Sequence, residues 1–217
     1  MVWQRIKMLK KKNKEYLNLF PVPIQLAQTE LNIDSLIEFC YEMKRKNEKG
    51  VEISNVGGWQ SNNIINETHT EFVKLKTEID DAVKVYHEDV KFKKTIEQKI
   101  SNIWININQK GHSNGYHVHA RATLSGAFYL TKVIAPIVFQ HPFHDITQYY
   151  WDSFLIEEWN ETNSGEWRLV SEPNTLIIFP AWLYHKVLMS KEDTDRISLS
   201  FNTYHRSDEA MALKMFH

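Results

Sequence analysis

The spacing of apolar residues divides the chain into a helical first part and a strand-forming second part. Across residues 34–46 the apolar positions recur every three or four residues, which predicts an amphipathic helix with Asn32 or Asp34 as its N-cap. The same spacing across residues 71–86 predicts a second helix that continues to about Ile100. The segment between them, residues 51–66, contains a pair of glycines and is predicted to be a loop.

After residue 100 the apolar positions alternate with polar ones, which is the period of a β-strand. Strands are predicted at residues 103–108, 116–119, 124–131, 136–140, 167–170, 175–179, 185–189 and 197–204. Seven or eight short strands separated by turn residues are typical of a sandwich, a barrel or a jelly roll rather than a parallel α/β sheet. The polar, aromatic-rich segment 141–165 is long enough to predict a covering loop or lid.

Length and composition are those of one globular domain. A chain of 217 residues, 42% hydrophobic and 24% charged, can bury a full core without dividing. We therefore expect a single domain over residues 1–217. It would consist of a mainly helical layer at 1–100 and a β core at 101–206 that carries the insertion 141–165.

Charge and cysteine content limit the binding partners and the cellular compartment that we expect for the protein. A formal net charge of -1 provides no broad attraction for nucleic acid or acidic membranes. The single cysteine, Cys40, excludes an internal disulfide and suits a reducing compartment such as the cytoplasm. There is neither an apolar run of about eighteen residues nor an apolar stretch near the N-terminus, so we expect no membrane span and no secretory signal.

Two histidines in one predicted strand are the first candidates for chemistry. His117 and His119 are two positions apart, so in a strand both side chains would project from the same face, with Cα atoms roughly 7 Å apart. Two imidazoles in that position can bind one metal ion. Such pairs also occur on exposed strands that bind no metal, so the pair alone does not decide the matter.

A third histidine and an arginine follow at a suggestive spacing. His185 comes shortly after the apolar strand at 175–179, and Arg196 lies eleven positions further on, as 196 minus 185 gives 11. Ser198 shares a strand face with Arg196. The guanidinium of arginine is a fixed fork of donors that suits a carboxylate, and serine adds a hydroxyl.

Structural explanations of these residues remain open on the sequence alone. A histidine beside an apolar strand, such as His185, is often a hydrogen-bonded core residue. Arg196 would equally suit an ordinary surface ion pair with Asp193 or Asp195.

Taken together, the segments resemble the 2-oxoglutarate/Fe(II) oxygenases, and in particular a small branch common in marine phages and bacteria. The resemblance covers about residues 16–204 and rests on the following segments: Asn106, Asn114-Gly-Tyr-His-Val-His119, Leu124-Ser-Gly-Ala-Phe-Tyr-Leu130, Leu176-Ile-Ile-Phe-Pro180, His185 and Arg196-Ile-Ser-Leu-Ser-Phe-Asn202. It implies an α+β, mainly β fold: a double-stranded β-helix, the cupin-type jelly roll, with the N-terminal helices packed on one sheet.

The resemblance also implies a metal site made of His117, His119 and His185. The usual iron site of the superfamily has two histidines and one carboxylate, and His119 stands where the carboxylate is expected. Three neutral imidazoles leave Fe(II) its full double charge, which would tighten binding of a dianionic co-substrate. Two alternatives stay open: His119 turns away, or a carboxylate from the lid approaches. The lid carboxylates in question are Asp145, Asp152, Glu157 and Glu158.

By the same resemblance, Arg196 and Ser198 would bind the distal carboxylate of 2-oxoglutarate. Asn106 and Tyr129 are candidates for further hydrogen bonds to this co-substrate, and Asn108 and Asn202 are weaker ones. Asn106 would otherwise face solvent between apolar neighbours, and Tyr129 would otherwise pack in the core.

The function implied is an enzyme that uses Fe(II), 2-oxoglutarate and O2 to hydroxylate a C–H bond, with release of succinate and carbon dioxide. Its substrate would be a small molecule or a protein side chain, with no nucleic acid or membrane as partner. An exposed sheet edge makes a homodimer possible, and a phage-encoded protein would act in the host cytoplasm. Two other functions stay open: a three-histidine cupin dioxygenase without 2-oxoglutarate, and a non-catalytic jelly-roll binding or virion-associated module.

Overall fold

Two antiparallel sheets face each other in the computed structural model, which describes residues 16, 18–132, 135–146, 153–170 and 172–206. The strands are β1 (Gln25–Gln28), β2 (Asn55–Val56), β3 (Trp59–Gln60), β4 (Glu97–Asn108), β5 (Ser113–His117), β6 (Leu124–Tyr129), β7 (Ile137–Gln140), β8 (Glu166–Leu169), β9 (Thr175–Pro180), β10 (His185–Val187) and β11 (Arg196–Arg206). One sheet has six strands in the order β1-β9-β6-β11-β4-β3. The other has five in the order β2-β5-β10-β7-β8.

The eight strands from β4 to β11 form the double-stranded β-helix. Strands β4, β6, β9 and β11 belong to the larger sheet, and β5, β7, β8 and β10 belong to the smaller one. The chain therefore passes repeatedly between the two sheets, and a small apolar cluster that includes Phe139 and Phe179 joins them. The predicted fold class is confirmed.

Two helices cover one face of the larger sheet. Helix α1 runs over Ile33–Lys46, and its N-cap is Asn32, whose side chain accepts a hydrogen bond from the backbone N–H of Ser35 at 3.1 Å. Helix α2 runs over Thr70–Asp89. Their buried residues form one core with the sheet: Leu36, Phe39, Cys40, Phe72, Leu75, Ile79, Val83 and Tyr86.

Helix α2 ends earlier than predicted. After the C-cap at Val90, Lys91 adopts a positive φ of 60°, and the N–H of Phe92 bonds to the carbonyl of His87 at 3.1 Å. This left-handed turn ends the helix, so the predicted continuation to about Ile100 is wrong. The chain instead enters β4 at Glu97, and β4 pairs with β11 over its whole length.

Alternation along β4 and β11 separates two environments. Ile103, Ile105 and Ile107 face the helices and are fully buried in the main core. The residues between them face the smaller sheet, and the register places Asn106 opposite Ser198. The prediction that Asn106 would otherwise face solvent does not hold, because the second sheet covers that side of β4 and leaves Asn106 buried.

Three short strands at or near the edges of the sheets were not predicted from the sequence. β1 pairs with β9, while β2 and β3 lie inside the predicted loop 51–66 and pair with β5 and β4. Two residues are too few to show an alternating pattern, so their pairing is decided by the neighbouring strands. Of the predicted lid, residues 147–152 lie outside the described part of the chain. Within the residues described, no helix combines the length and apolar character needed to cross a membrane.

Replacing Gly126 with alanine should destabilise the fold. A Cβ atom at this position of β6 would clash with the ring of Phe201 and the carbonyl oxygen of Ile177. We expect Gly126→Ala to lower the free energy of unfolding by about 1–3 kcal/mol. The measurement is urea unfolding, with Gly115→Ala as the matched control because a Cβ there meets no atom within 4 Å. Equal midpoints for the two variants would contradict the packing described.

Candidate metal centre

Three histidines from two neighbouring strands and one turn converge between the sheets. His117 is the last residue of β5 and His185 the first of β10, and the two are direct partners across the antiparallel pair. His119 lies beyond the end of β5, so the prediction of a strand through residue 119 is wrong. A hydrogen bond from its N–H to the carbonyl of Ala181, at 2.9 Å, holds His119 beside the other two.

The distances among the imidazoles suit a shared metal ion. Ring centroids lie 4.3 Å apart for His117 and His185, and 5.1 Å for each of the other two pairs. The Nε2 atoms of His119 and His185 are 3.3 Å apart, and one ligand atom from each histidine lies within 4.8 Å of the others. Two nitrogens each ~2.1 Å from one ion at a right angle would be about 3 Å apart.

Backbone carbonyls fix the tautomer of two of the rings. Nδ1 of His117 lies 2.7 Å from the carbonyl oxygen of Gly115, and Nδ1 of His185 lies 2.8 Å from that of Leu183. A carbonyl oxygen only accepts hydrogen bonds, so each Nδ1 carries the proton and donates it. Each Nε2 is then a bare lone pair, which is the form that binds a metal.

Burial keeps the three imidazoles neutral. It lowers the pKa of His185 to about 3 and that of His119 to about 4, and the neighbouring His117 contributes to both shifts. Burial also lowers the pKa of His117. At neutral pH all three rings are therefore available as ligands without first losing a proton.

No carboxylate accompanies these histidines within the described residues. The three histidines form the one potential metal-binding group in that part of the chain. Of the lid carboxylates proposed as alternatives, Asp145 lines a different cleft and Glu157 and Glu158 are exposed. Asp152 lies outside the described residues.

All seven residues predicted for the site line one cavity of about 40 Å³ between the sheets: His117, His119, His185, Asn106, Tyr129, Arg196 and Ser198. At about 10–15 Å³ per water, this is room for about three water molecules. The register of the strands brings three of these residues side by side on the face that lines the cavity, because Ser198 on β11 pairs with Asn106 on β4 and with Tyr129 on β6.

Arg196 is a buried cation that has no acidic partner among the described residues. Its residue is 4% exposed, and its guanidinium lies 5.4 Å from the ring centroid of Tyr129. Asp193 pairs with Lys110, and Asp195 accepts a hydrogen bond from Tyr41, so neither forms the surface ion pair considered as an alternative. No ion pair of Arg196 occurs within the described residues.

The polar residues around Arg196 have defined partners. Asn106 donates from Nδ2 to Oγ of Ser200 at 3.0 Å, which leaves its Oδ1 to accept other bonds. The weaker candidates are engaged elsewhere, since Asn108 donates to Asn114 and Asn202 accepts from Ser125. Among the lining residues that sequence analysis did not assign to the site, four have polar side-chain atoms: Ser54, Trp104, Asn114 and Ser200. Two of them had a signal in the sequence: Ser200 shares a strand face with Arg196 and Ser198, and Trp104 shares one with Asn106.

A polar clamp lies behind the histidines on the outer face of the smaller sheet. Glu166 on β8 accepts a hydrogen bond from the hydroxyl of Tyr116, and its Oε1 lies 2.9 Å from Nζ of Lys186. Nζ of Lys186 also lies 4.2 Å from the ring centroid of Tyr116. Because Tyr116 precedes His117 and Lys186 follows His185, this clamp holds together the two strands that carry these histidines. Residue spacing along the chain gave no sign of it.

A second, larger cleft of about 540 Å³ lies beside the base of the predicted lid. It is lined by residues 140–146 and 182–184, with His141, His144 and the exposed ring of Trp182 among them. The two histidines therefore line this cleft and are not part of the cavity that holds the three-histidine cluster.

Comparison with known proteins finds a matching family model and similar solved structures. The model of a protein family described as "Putative 2OG-Fe(II) oxygenase" matches residues 102–202. No curated protein matches the sequence.

Among solved structures, a prolyl-4-hydroxylase from Pseudomonas putida is similar with a TM-score of 0.58 and 11% identity, covering 86% of this chain and 94% of its own. A viral collagen prolyl hydroxylase from Paramecium bursaria Chlorella virus-1, solved as a 2OG complex, has a TM-score of 0.56 and 9% identity over 85% and 96% of the two chains. HygX from Streptomyces hygroscopicus, solved with nickel and 2-oxoglutarate, has a TM-score of 0.56 and 8% identity over 84% and 83%. At these identities the similarity establishes the fold.

The metal-free protein should lose stability between pH 7 and pH 5. The pKa values of His119 and His185 in the folded chain lie below the ordinary value of about 6.5, so the unfolded chain binds more protons in this window. Their contribution is complete above about pH 6.5 and falls with the pH, by on the order of 2 kcal/mol for each of the two histidines at pH 5. Urea unfolding at both pH values measures it. An equal loss in His119→Gln/His185→Gln would contradict the assignment.

Proposed function

We propose, because residues 102–202 match the family model described as a 2OG-Fe(II) oxygenase, that this chain is a 2-oxoglutarate/Fe(II) oxygenase. It would hydroxylate a C–H bond and release succinate and carbon dioxide. One observation supports this most strongly: three neutral imidazoles and a buried arginine without a counter-charge line the same cavity. A metal dication would fit the histidine side of that cavity, and a carboxylate of the co-substrate would fit the arginine side.

His117, His119 and His185 are the proposed iron ligands. Nε2 of His117 and of His185 faces the site as a lone pair, because Nδ1 in each ring is held as a donor to a backbone carbonyl. His119 would occupy the position that a carboxylate takes in the usual superfamily site. We propose this departure as a property of the chain, since no carboxylate among the described residues joins the cluster.

Arg196 is the proposed partner of the distal carboxylate of 2-oxoglutarate. A buried guanidinium is costly without an anion, and a carboxylate matches its fork of donors. Ser198 offers a hydroxyl next to it, and Asn106 and Tyr129 line the same cavity as further candidates for hydrogen bonds. The cavity is smaller than a co-substrate of ten non-hydrogen atoms, so we expect Arg196 to move off the ring of Tyr129 when 2-oxoglutarate binds.

The chemistry comes from the bound groups and the positioning comes from the protein. When bound, iron and 2-oxoglutarate activate dioxygen, so that one oxygen atom enters the substrate and the other enters succinate. The carbonyls of Gly115 and Leu183 hold two imidazoles in place. Apolar side chains that line the cavity, Ile137, Phe179 and Val187, keep water away from the reacting centre.

The expected substrate, partners and compartment rest on the composition of the chain and on its resemblance to the family. We expect a small molecule or a protein side chain as substrate, with no nucleic acid or membrane as partner, and action in the cytoplasm, of a host cell if the chain is phage-encoded. A homodimer through a free sheet edge is compatible with these expectations.

Removing a histidine of the cluster should abolish tight iron binding. His117→Gln and His185→Gln each take away one ligand, and we expect iron affinity to fall by about 100-fold or more. Elemental analysis after anaerobic loading with Fe(II) and gel filtration measures the bound metal. His112→Gln is the control, because His112 lies outside the cluster and its ring accepts a hydrogen bond from the backbone of Gln109. Unchanged iron content in the first two variants would contradict the ligand assignment.

Removing the guanidinium should weaken co-substrate binding. We expect Arg196→Gln to reduce affinity for 2-oxoglutarate by about 100-fold, because a buried charge-assisted pair is lost. Anaerobic titration of the Fe(II) protein, followed by the visible absorption of the keto acid chelate, measures this. Arg168→Gln, on exposed β8, is the matched control.

The titration also separates the proposal from a dioxygenase that binds its substrate directly to iron. Such an enzyme would give no chelate absorption with 2-oxoglutarate. Equal affinity in Arg196→Gln and in the parent protein would count against the arginine as the carboxylate partner.

A further inference from the structure

The cavity around the three histidines has an unbalanced charge. Apart from the histidines, its lining consists of polar uncharged side chains, apolar side chains and Arg196, with no aspartate or glutamate among the described residues. Arg196, itself buried, therefore contributes a full positive charge to a cavity with room for only about three water molecules.

Acidic side chains close in sequence to the site are engaged elsewhere. Asp193 pairs with Lys110, and Asp195 accepts a hydrogen bond from Tyr41. Glu166 lies on the outer face of the smaller sheet, where it is held by Tyr116 and Lys186. None of these carboxylates lines the cavity.

The imbalance persists when the cofactor and co-substrate of the proposed function are counted. Imidazole binds a metal in its neutral form, so His117, His119 and His185 cancel none of the two charges of Fe(II). Arg196 adds a third positive charge, and the dianion of 2-oxoglutarate cancels two of the three. One positive charge remains. With a carboxylate at position 119, the same site would be neutral.

A net charge in a small buried cavity is unfavourable unless an ion of opposite sign accompanies it. We propose that the loaded site accepts one further small monoanion, and that this anion is a carboxylate carried by the substrate. The inference rests on the proposed function and deepens it, because it names a substrate class: an acid whose carboxylate lies close to the carbon that reacts. A substrate with an amine at that place would meet repulsion.

The test uses simple anions in place of the unidentified substrate. The Fe(II) protein is loaded with 2-oxoglutarate without oxygen, and the visible absorption of the chelate is followed during titration with acetate. Chloride represents an anion taken from solvent, and acetamide is the uncharged control of the same shape as acetate. The variant is His119→Asp, which replaces one proposed ligand with the carboxylate of the usual superfamily site and so adds the missing negative charge.

We expect acetate to shift the absorption band of the parent protein, with an apparent Kd at least 10-fold lower than in His119→Asp. Acetamide should cause no shift in either protein, and the iron content of both is measured so that only loaded protein is compared. This result would attribute the effect to the charge of the anion rather than to its shape.

The contrary outcomes distinguish a failure of this inference from a failure of the proposed function. If the chelate band forms but acetate leaves it unchanged, or shifts it equally in His119→Asp, the inference is overturned and the proposed function stands. A response to chloride but not to acetate overturns the assignment of the anion to the substrate. If no band forms with 2-oxoglutarate in the parent protein, the proposed function itself fails.

Discussion

The direct pairing of His117 with His185 across two antiparallel strands is the constraint on which the site depends. The two residues are register partners, so their side chains leave the smaller sheet on the same face and point toward the larger one. A shift of one residue in this register would turn one imidazole to the outer face. Each ring also bonds to a carbonyl two residues before it, which sets its orientation as well as its position.

The second constraint is the alternation of β11, which serves two purposes with one strand. Ile197, Leu199 and Phe201 close the core beneath the helices, while the residues between them supply the polar wall of the cavity. Stability and chemistry are therefore assigned to opposite faces of the same backbone. This explains how a buried arginine is tolerated in a strand of the core: its neighbours on the helix side supply the burial that holds the strand in place.

Sequence analysis recovered the elements whose pattern extends over several residues. The alternation from Ile103 onward and the helical spacing before it were enough to indicate two layers, and shared strand faces grouped Arg196 with Ser198. It placed His119 wrongly on a strand, because period-2 spacing looks the same whether or not the strand ends at His117. The turn that brings His119 back depends on a hydrogen bond to Ala181, about sixty residues away in sequence. Long-range contacts of this kind leave no local pattern, and the same holds for β2, β3 and Glu166.

The Tyr116–Glu166–Lys186 clamp has a consequence for how the protein can vary. Glu166 reaches across β7 to hold residues next to two of the histidines, so a single carboxylate on the outside of the molecule ties together three of the five strands of its sheet. A substitution of Glu166 would therefore loosen the strands that carry His117 and His185, although Glu166 does not line the cavity. The precision of the interior site depends in this way on a contact at the opposite surface of the sheet.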